Sequence, residues 1–135
     1  MATITEIMRN NHRECDDLFV RAEGAVDAGD WSGAVSSWAA FATELEHHIT
    51  AQEEGRLFPA FEKSGGPSGP TYMMRSEHDE MRALVKQIQQ ALDSRDADSF
   101  LGLADTMMIL MQQHNMKEEQ ILYPMMDQFI PGFLG

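Results

Sequence analysis

An all-α fold, an antiparallel up-down four-helix bundle built from two pseudo-repeated helix pairs, is what this sequence predicts. Three observations lead there. Apolar residues recur in steps of three and four along four separate segments, Val and Ile are few among the helix formers, and Gly and Pro gather in one short stretch near mid-chain. A length of 135 residues suits one domain. Residues 1–135 are therefore expected to form a single bundle, with helix pairs over about 3–63 and 71–128 and a connector over 64–70.

The first helix is expected from Ile4 to Asp27, opened by Thr3 with Glu6 three residues on as a capping box. Ile4, Met8, His12, Cys15, Phe19, Ala22 and Val26 mark its inward face, so His12 points into the bundle. Gly29 and Asp30 punctuate the next turn. The second helix carries Val35, Trp38, Ala42, Leu45, then His48 or Ile49, and later Leu57 and Phe61. Ser64-Gly-Gly-Pro-Ser-Gly-Pro-Thr71 cannot continue a helix. A third helix, from near Thr71, shows Met74, His78, Met81, Val85, Ile88 and Leu92 on one face. Asp93 to Asp98 then supplies a polar turn with capping candidates, and the fourth helix shows Leu103, Met107, Leu110, His114, Glu118, Ile121 and Met125. Short connections imply antiparallel neighbours.

Composition excludes several functions. A formal charge of -12 repels nucleic acid and anionic lipid, because phosphate binding needs Lys and Arg to displace counterions. The strongly apolar stretch from Phe100 to Met111, broken by Asp105 and Thr106, is too short to span a bilayer. Neither nucleic acid nor membrane is an expected partner. The N-terminal segment lacks the basic start and apolar run of a secretion signal, and Cys15 has no second cysteine to pair with, so a cytoplasmic location is expected. The eleven Met residues are read as filler between helices, and Cys15 as a small apolar core residue.

The two halves repeat their chemically unusual residues at a nearly fixed offset. His12 to His78 is 66 positions and His48 to His114 is also 66, while Glu53 to Glu118 and Pro59 to Pro124 are each 65. Locally, Glu53-Glu-Gly-Arg-Leu-Phe-Pro59 matches Glu118-Glu-Gln-Ile-Leu-Tyr-Pro124, so each half supplies two His and one Glu. Four His and two Glu on inward faces would be costly as a bare core, since an unpaired buried carboxylate costs several kcal/mol. A pair of metal ions removes that cost, with carboxylates bridging and neutral imidazoles capping. His114 and Glu118 are four apart on one face. His48 and Glu53 are five apart, about 140° around a regular helix. A π-bulge between them is therefore expected, because one inserted residue restores a shared face. Pro59 and Pro124 are expected to bend or end their helices just beyond the two Glu residues.

His12, His47-His48 followed by Glu53-Glu-Gly-Arg-Leu-Phe-Pro59, the Gly-Pro-Thr connector before Glu77-His78, and His114-Asn-Met-Lys-Glu118 before Leu-Tyr-Pro124 resemble the hemerythrin-like (HHE cation-binding) family over almost the whole chain. The resemblance implies a non-haem di-iron centre with an oxo or hydroxo bridge, terminal ligands at His12, His48, His78 and His114, and bridging carboxylates at Glu53 and Glu118. It also implies a small diatomic ligand or peroxide as partner. The oxygen carriers of the family have a second His one turn from the first on the third helix, whereas Met74 and Arg82 occupy those positions here. Sensing, scavenging or peroxide chemistry is accordingly favoured over reversible oxygen storage.

Open alternatives remain at this stage. Imidazole with carboxylate suits manganese and zinc as well as iron. An iron store or iron donor without turnover fits the same residues, and the sequence does not decide whether the protein is an enzyme. A ferritin-like oxidase would want two Glu-x-x-His pairs, and only Glu44 to His47 has that spacing. His47, Glu44, Glu54 or Tyr123 are the further candidates for closing a metal position, and Gln52 competes with Glu53 if the second helix stays regular.

Overall fold

A computed structural model describes residues 2–134. Among the described residues the chain forms four antiparallel helical rods and no strand. The first rod is α1 (Ile4–Asp27). The second runs without interruption through α2 (Trp31–Glu46), a π-helical segment π1 (His47–Leu57) and α3 (Phe58–Lys63). The third is α4 (Ser68–Asp93), and the fourth joins α5 (Ala97–Lys117), π2 (Glu118–Leu122) and α6 (Tyr123–Phe129). α1 packs along α2 and α4 along α5, and α1 also lies against α5 and α6, which closes the bundle.

Caps start the rods where the polar turns placed them. Thr3 Oγ1 accepts from Glu6 N–H at 3.1 Å, Asp30 from Gly33 N–H at 3.0 Å and Asp96 from Ser99 N–H at 3.1 Å, each satisfying an N–H that the first helical turn leaves over. The Asp127 carboxylate takes Ile4 N–H at 2.7 Å and Thr5 Oγ1–H at 2.7 Å, so α6 caps the start of α1. The third rod begins at Ser68, earlier than the expected Thr71. Gly69 and Pro70 fall in its first turn, where backbone N–H groups have no helical partner and a proline removes nothing.

The core is split in two. On one side of mid-bundle Phe19, Trp38, Phe41 and Phe100 pack with ring centroids 5.0 to 6.1 Å apart, among Val26, Ile88, Leu92 and Met107. On the other, Ile4, Met8, Leu57, Phe58, Phe61, Met74, Leu122, Tyr123 and Met126 form a smaller cluster. The expected faces hold on the first and third rods and slip on the other two. Val35 and Ile121 are exposed, at 53% and 58%, and Ala34, Phe41 and Leu122 take the inward places instead. On the fourth rod π2 is the cause: its wider turn carries the inward face from Glu118 to Leu122 and Met126, not to Ile121 and Met125.

The bulge between His48 and Glu53 is present and extends over eleven residues, and its counterpart π2 was not anticipated. Neither proline ends its rod. Phe58 N–H still reaches five residues back to Glu53 O, and Tyr123 N–H to Glu118 O. Pro59 and Pro124 follow at once, at the step where the ladder returns to four-residue spacing and a missing N–H costs least. Within π1, a Cβ on Gly55 would lie 2.8 Å from the Thr50 carbonyl oxygen. The widened turn thus requires glycine.

Two predictions follow from these contacts. Gly55→Ala should destabilise the protein by about 1 to 2 kcal/mol, although Ala is the better helix former; a gain in melting temperature would contradict the close approach. Glu62 bridges the connector, accepting from Arg75 at 2.9 and 3.1 Å and from Thr71 Oγ1–H at 2.7 Å. The Arg75 and Thr71 bonds hold its carboxyl below the usual 4.5, so its stabilisation is present above that value and lost as pH falls through the lowered one. Urea melts should show Glu62→Gln weaker by about 1 kcal/mol at pH 7, a figure already reduced for solvent screening, with the difference shrinking towards pH 3.

Candidate metal centre

Each rod contributes to one polar layer between the two apolar clusters. His12 comes from α1, His48 and Glu53 from π1, His78 from α4, His114 from α5 and Glu118 from π2. Glu53, His78 and Glu118 have no exposed surface, and His114, His12 and His48 are 2 to 4% exposed. The helical period puts His12, His78 and His114 on inward faces. The π turn brings Glu53 round to the side of His48, with His48 Nε2 3.4 Å from Glu53 Oε1.

The six side chains meet at their reactive ends. Ligand atoms of Glu53, His78, His114 and Glu118 lie within 4.8 Å of one another, as do those of His12, His48 and Glu118. Glu118 belongs to both groups. Its Oε1 stands 3.2 Å from His12 Nε2 and 3.1 Å from His114 Nε2, and Glu53 Oε1 stands 3.1 Å from His78 Nε2. Tyr123 Oη donates to Glu53 Oε2 at 2.6 Å and lies 3.2 Å from His12 Nε2.

Behind three of the imidazoles stands a carboxylate. His12 Nδ1 is 2.7 Å from Glu119, His78 Nδ1 is 2.8 Å from Glu54 and His114 Nδ1 is 2.7 Å from Glu77. A proton held on Nδ1 in this way fixes the ring and leaves the Nε2 lone pair facing the centre. Burial opposes the charge on Glu54 and Glu77, but bonds from Arg82 and His78, and from Lys117 and His114, hold both carboxyls below their usual value. Of these supports only Glu54 was singled out from sequence, and as a ligand. The doubling of Glu53-Glu54 and Glu118-Glu119 in both halves was the available signal.

Electrostatics shows what the layer lacks. Burial drives His48 down to about 3, so it is neutral at pH 7. Burial and the facing Glu118 push Glu53 well above the ordinary carboxyl value. Glu118 resists its own burial because His114, Glu53 and His12 surround it, and it lies well below that value. Glu53 Oε1, both oxygens of Glu118, His48 Nδ1 and His78 Nε2 are buried without a hydrogen-bond partner. Buried acceptors without donors are rare and costly. The Glu53 and Glu118 oxygens and His78 Nε2, facing the Nε2 atoms of the other rings, fit a metal cation, which accepts their lone pairs; His48 Nδ1 lies on the far side of its ring.

Other candidates fall outside the layer. His47 and Glu44 are exposed, Gln52 accepts from Arg56 near the surface, Met74 lies in the smaller apolar cluster, and Arg82 is bonded to Glu54. Against the cluster lies a small cavity of about 10 Å³. His12, His48 and His114 line it together with Leu45, Ile49, Met81 and Met111, and Cys15 joins them. That is room for about one very small molecule. Burial pushes the Cys15 thiol up to about 12, which leaves it an unreactive wall of this cavity.

A metal-free sample should report the cost of the layer directly. Glu53→Leu is expected to stabilise the metal-free protein by about 1 to 3 kcal/mol, by removing a carboxylate that burial and the facing Glu118 disfavour and whose Oε1 has no partner. The same variant should lose the rise in melting temperature that added metal gives the native protein. A less stable metal-free variant would mean that the carboxylate is satisfied by the protein alone.

The family model described as the Hemerythrin HHE cation binding domain matches residues 3–126. No curated protein and no solved structure matched the chain. No helix among the described residues is long and apolar enough to cross a membrane. Nearly the whole bundle, with every residue of its polar layer, lies inside the matched segment, and the chain belongs to the hemerythrin HHE cation-binding family as a metal-binding four-helix protein.

Proposed function

We propose that the layer holds two iron ions, with His12, His48, His78 and His114 as terminal ligands and Glu53 and Glu118 between the metals, and that the centre binds or reduces a small oxidant. The observation that carries this reading is that the Glu53 and Glu118 oxygens and His78 Nε2 are buried without partners, beside a cavity on the scale of a single water molecule. Iron at this position supplies a Lewis acid and one-electron redox steps.

The chain's own residues set the conditions for that chemistry. Leu45, Ile49, Met81 and Met111 form the apolar part of the cavity wall and Asp16 stands on it as an acidic group, a lining that favours neutral dioxygen or nitric oxide over anions. Peroxide fits if it enters neutral. The neutral His48 ring leaves the layer with less positive charge, and carboxylates within it favour the higher oxidation state of a bound metal. Tyr123 Oη, 2.6 Å from Glu53, orients that carboxylate. Burial of Tyr123 next to Glu118 and Glu53 raises its hydroxyl well above the usual value, so it stays protonated and can keep donating. A cytoplasmic setting belongs to the same proposal, supported by the buried, unpaired Cys15.

Anaerobic loading with ferrous iron, followed by removal of excess, tests the reading. About two irons per chain are expected in the native protein, as in other bundle di-metal sites, and fewer in Glu53→Ala. Absence of retained iron in the native protein would remove the proposal. Rapid transfer of iron to an apo acceptor, without turnover of oxidant, would point to iron storage or donation instead.

A further inference from the structure

The four imidazoles of the centre are related by the repeat, and the support behind them fails at one ring. His12 and His48 sit with ring centroids 4.7 Å apart and tilted 55°, and His78 and His114 sit 4.9 Å apart and tilted 57°. Glu54 of the first half backs His78 of the second, and Glu119 of the second backs His12 of the first. Glu77, next to His78, backs His114. Asn11, next to His12, stands 66 positions before Glu77, the offset that relates His12 to His78 and His48 to His114. It does not back His48. Its amide donates to Ile7 O on its own helix at 3.2 Å, and His48 Nδ1 is buried without a partner.

We infer that Asn11 makes the two metal positions unequal, so that the one served by His12, His48 and Glu118 binds more weakly and fills second. This rests on the proposal that the layer holds two metals. The mechanism lies in the proton of His48. A neutral imidazole carries one proton, on either nitrogen. Nε2 of His48 has His12 Nε2 at 3.1 Å, Tyr123 Oη at 3.4 Å and Glu53 Oε1 at 3.4 Å around it, whereas Nδ1 has nothing. In the metal-free protein the proton therefore sits on Nε2, the nitrogen that must give its lone pair to the metal. Ligation requires the proton to leave Nε2 and one to settle on Nδ1, where a buried N–H meets no acceptor. His78 and His114 already direct Nδ1 at a carboxylate and need no such change.

The donor count runs the same way. Without an ion, ligand atoms of Glu53, His78, His114 and Glu118 already lie within 4.8 Å of one another, whereas on the other side only those of His12, His48 and Glu118 do, so the first group is the better assembled. Loss of a partner behind a metal-bound imidazole lowers affinity by about 10- to 100-fold. Asn11 is thus a positioning residue by its absence of reach: one methylene and one charge short of the side chain that completes the other half.

Stepwise titration of the metal-free protein with Zn²⁺, followed by nitrogen-15 NMR of the imidazoles and by chelator competition, decides the matter. The first equivalent is expected to shift His78 and His114 while His48 keeps its proton on Nε2, and the second to shift His48 with an affinity at least about tenfold lower. Asn11→Glu should raise the second affinity by about tenfold or more and leave the first unchanged. Glu77→Gln provides an independent arm if that variant does not fold, and it should lower the first affinity so that the two steps draw together. A native protein in which His48 responds with His78 and His114 to the first equivalent overturns the inference and leaves the two-metal reading in place. Failure of the native protein to bind any Zn²⁺ overturns both.

Discussion

Six ionisable side chains with at most 4% exposure, set across the middle of the bundle, are the constraint on which the rest of this structure turns. Burial at this depth takes them out of bulk solvent, and the protein surrounds the layer with donors of its own. Arg82 and Lys117 steady Glu54 and Glu77, which in turn steady His78 and His114. Arg9 does the same for Glu119 behind His12. Exposure rises outward from the centre, from buried ligand to half-buried carboxylate to the cations, of which Arg9 and Arg82 are half-buried and Lys117 is exposed. Such a chain of bonds gives each ring one orientation, and orientation is what a multi-ligand cation site needs before the ion arrives.

Much of this was legible because the chemistry is repeated. A lone His48 or a lone Glu53 says little, but the 66- and 65-residue offsets isolate the same four residue types twice, and the odd spacing of His48 and Glu53 implies the widened turn that π1 provides. α1 was legible almost to the residue, since Thr3 caps it and its stripe contains no ambiguous step. The slips have physical causes. Glu118 lies four residues after His114, as a regular helix would have it, so nothing in the spacing announces π2 beyond it or the resulting exchange of Ile121 for Leu122. The support Glu77 looks like any solvated acidic face, because a carboxylate next to a His in sequence points elsewhere on a helix and finds its imidazole on another rod. Asp127 has no local pattern at all; its partners are at the opposite end of the chain.

The π segments and prolines belong to one device. A helix that must offer both a His and a Glu to the same point, and then return to ordinary packing against Phe58, Phe61 and Met126, needs one residue taken up in between. Pro59 and Pro124 stand where the hydrogen-bond ladder has already shifted, and Gly55 admits the carbonyl that the longer shift brings in. The departure from α geometry is thereby placed beside the centre, while Trp38 and Phe61 lie on regular α-helix to either side.

The sharing of ligands between halves also orders the assembly of the molecule. α1 with the second rod, and α4 with the fourth, are hairpins of near neighbours whose contacts form early in a folding chain. Neither hairpin owns a complete cation site: Glu53 from the first must join His78, His114 and Glu118 from the second, and Glu118 from the second must join His12 and His48 from the first. Docking of the two hairpins, sealed by the Asp127 clasp on Ile4 and Thr5, comes before any full set of donors exists. The free energy of metal capture is then released into the last and longest-range step of folding, and the ion acts as a latch between two halves that would otherwise meet across facing carboxylates.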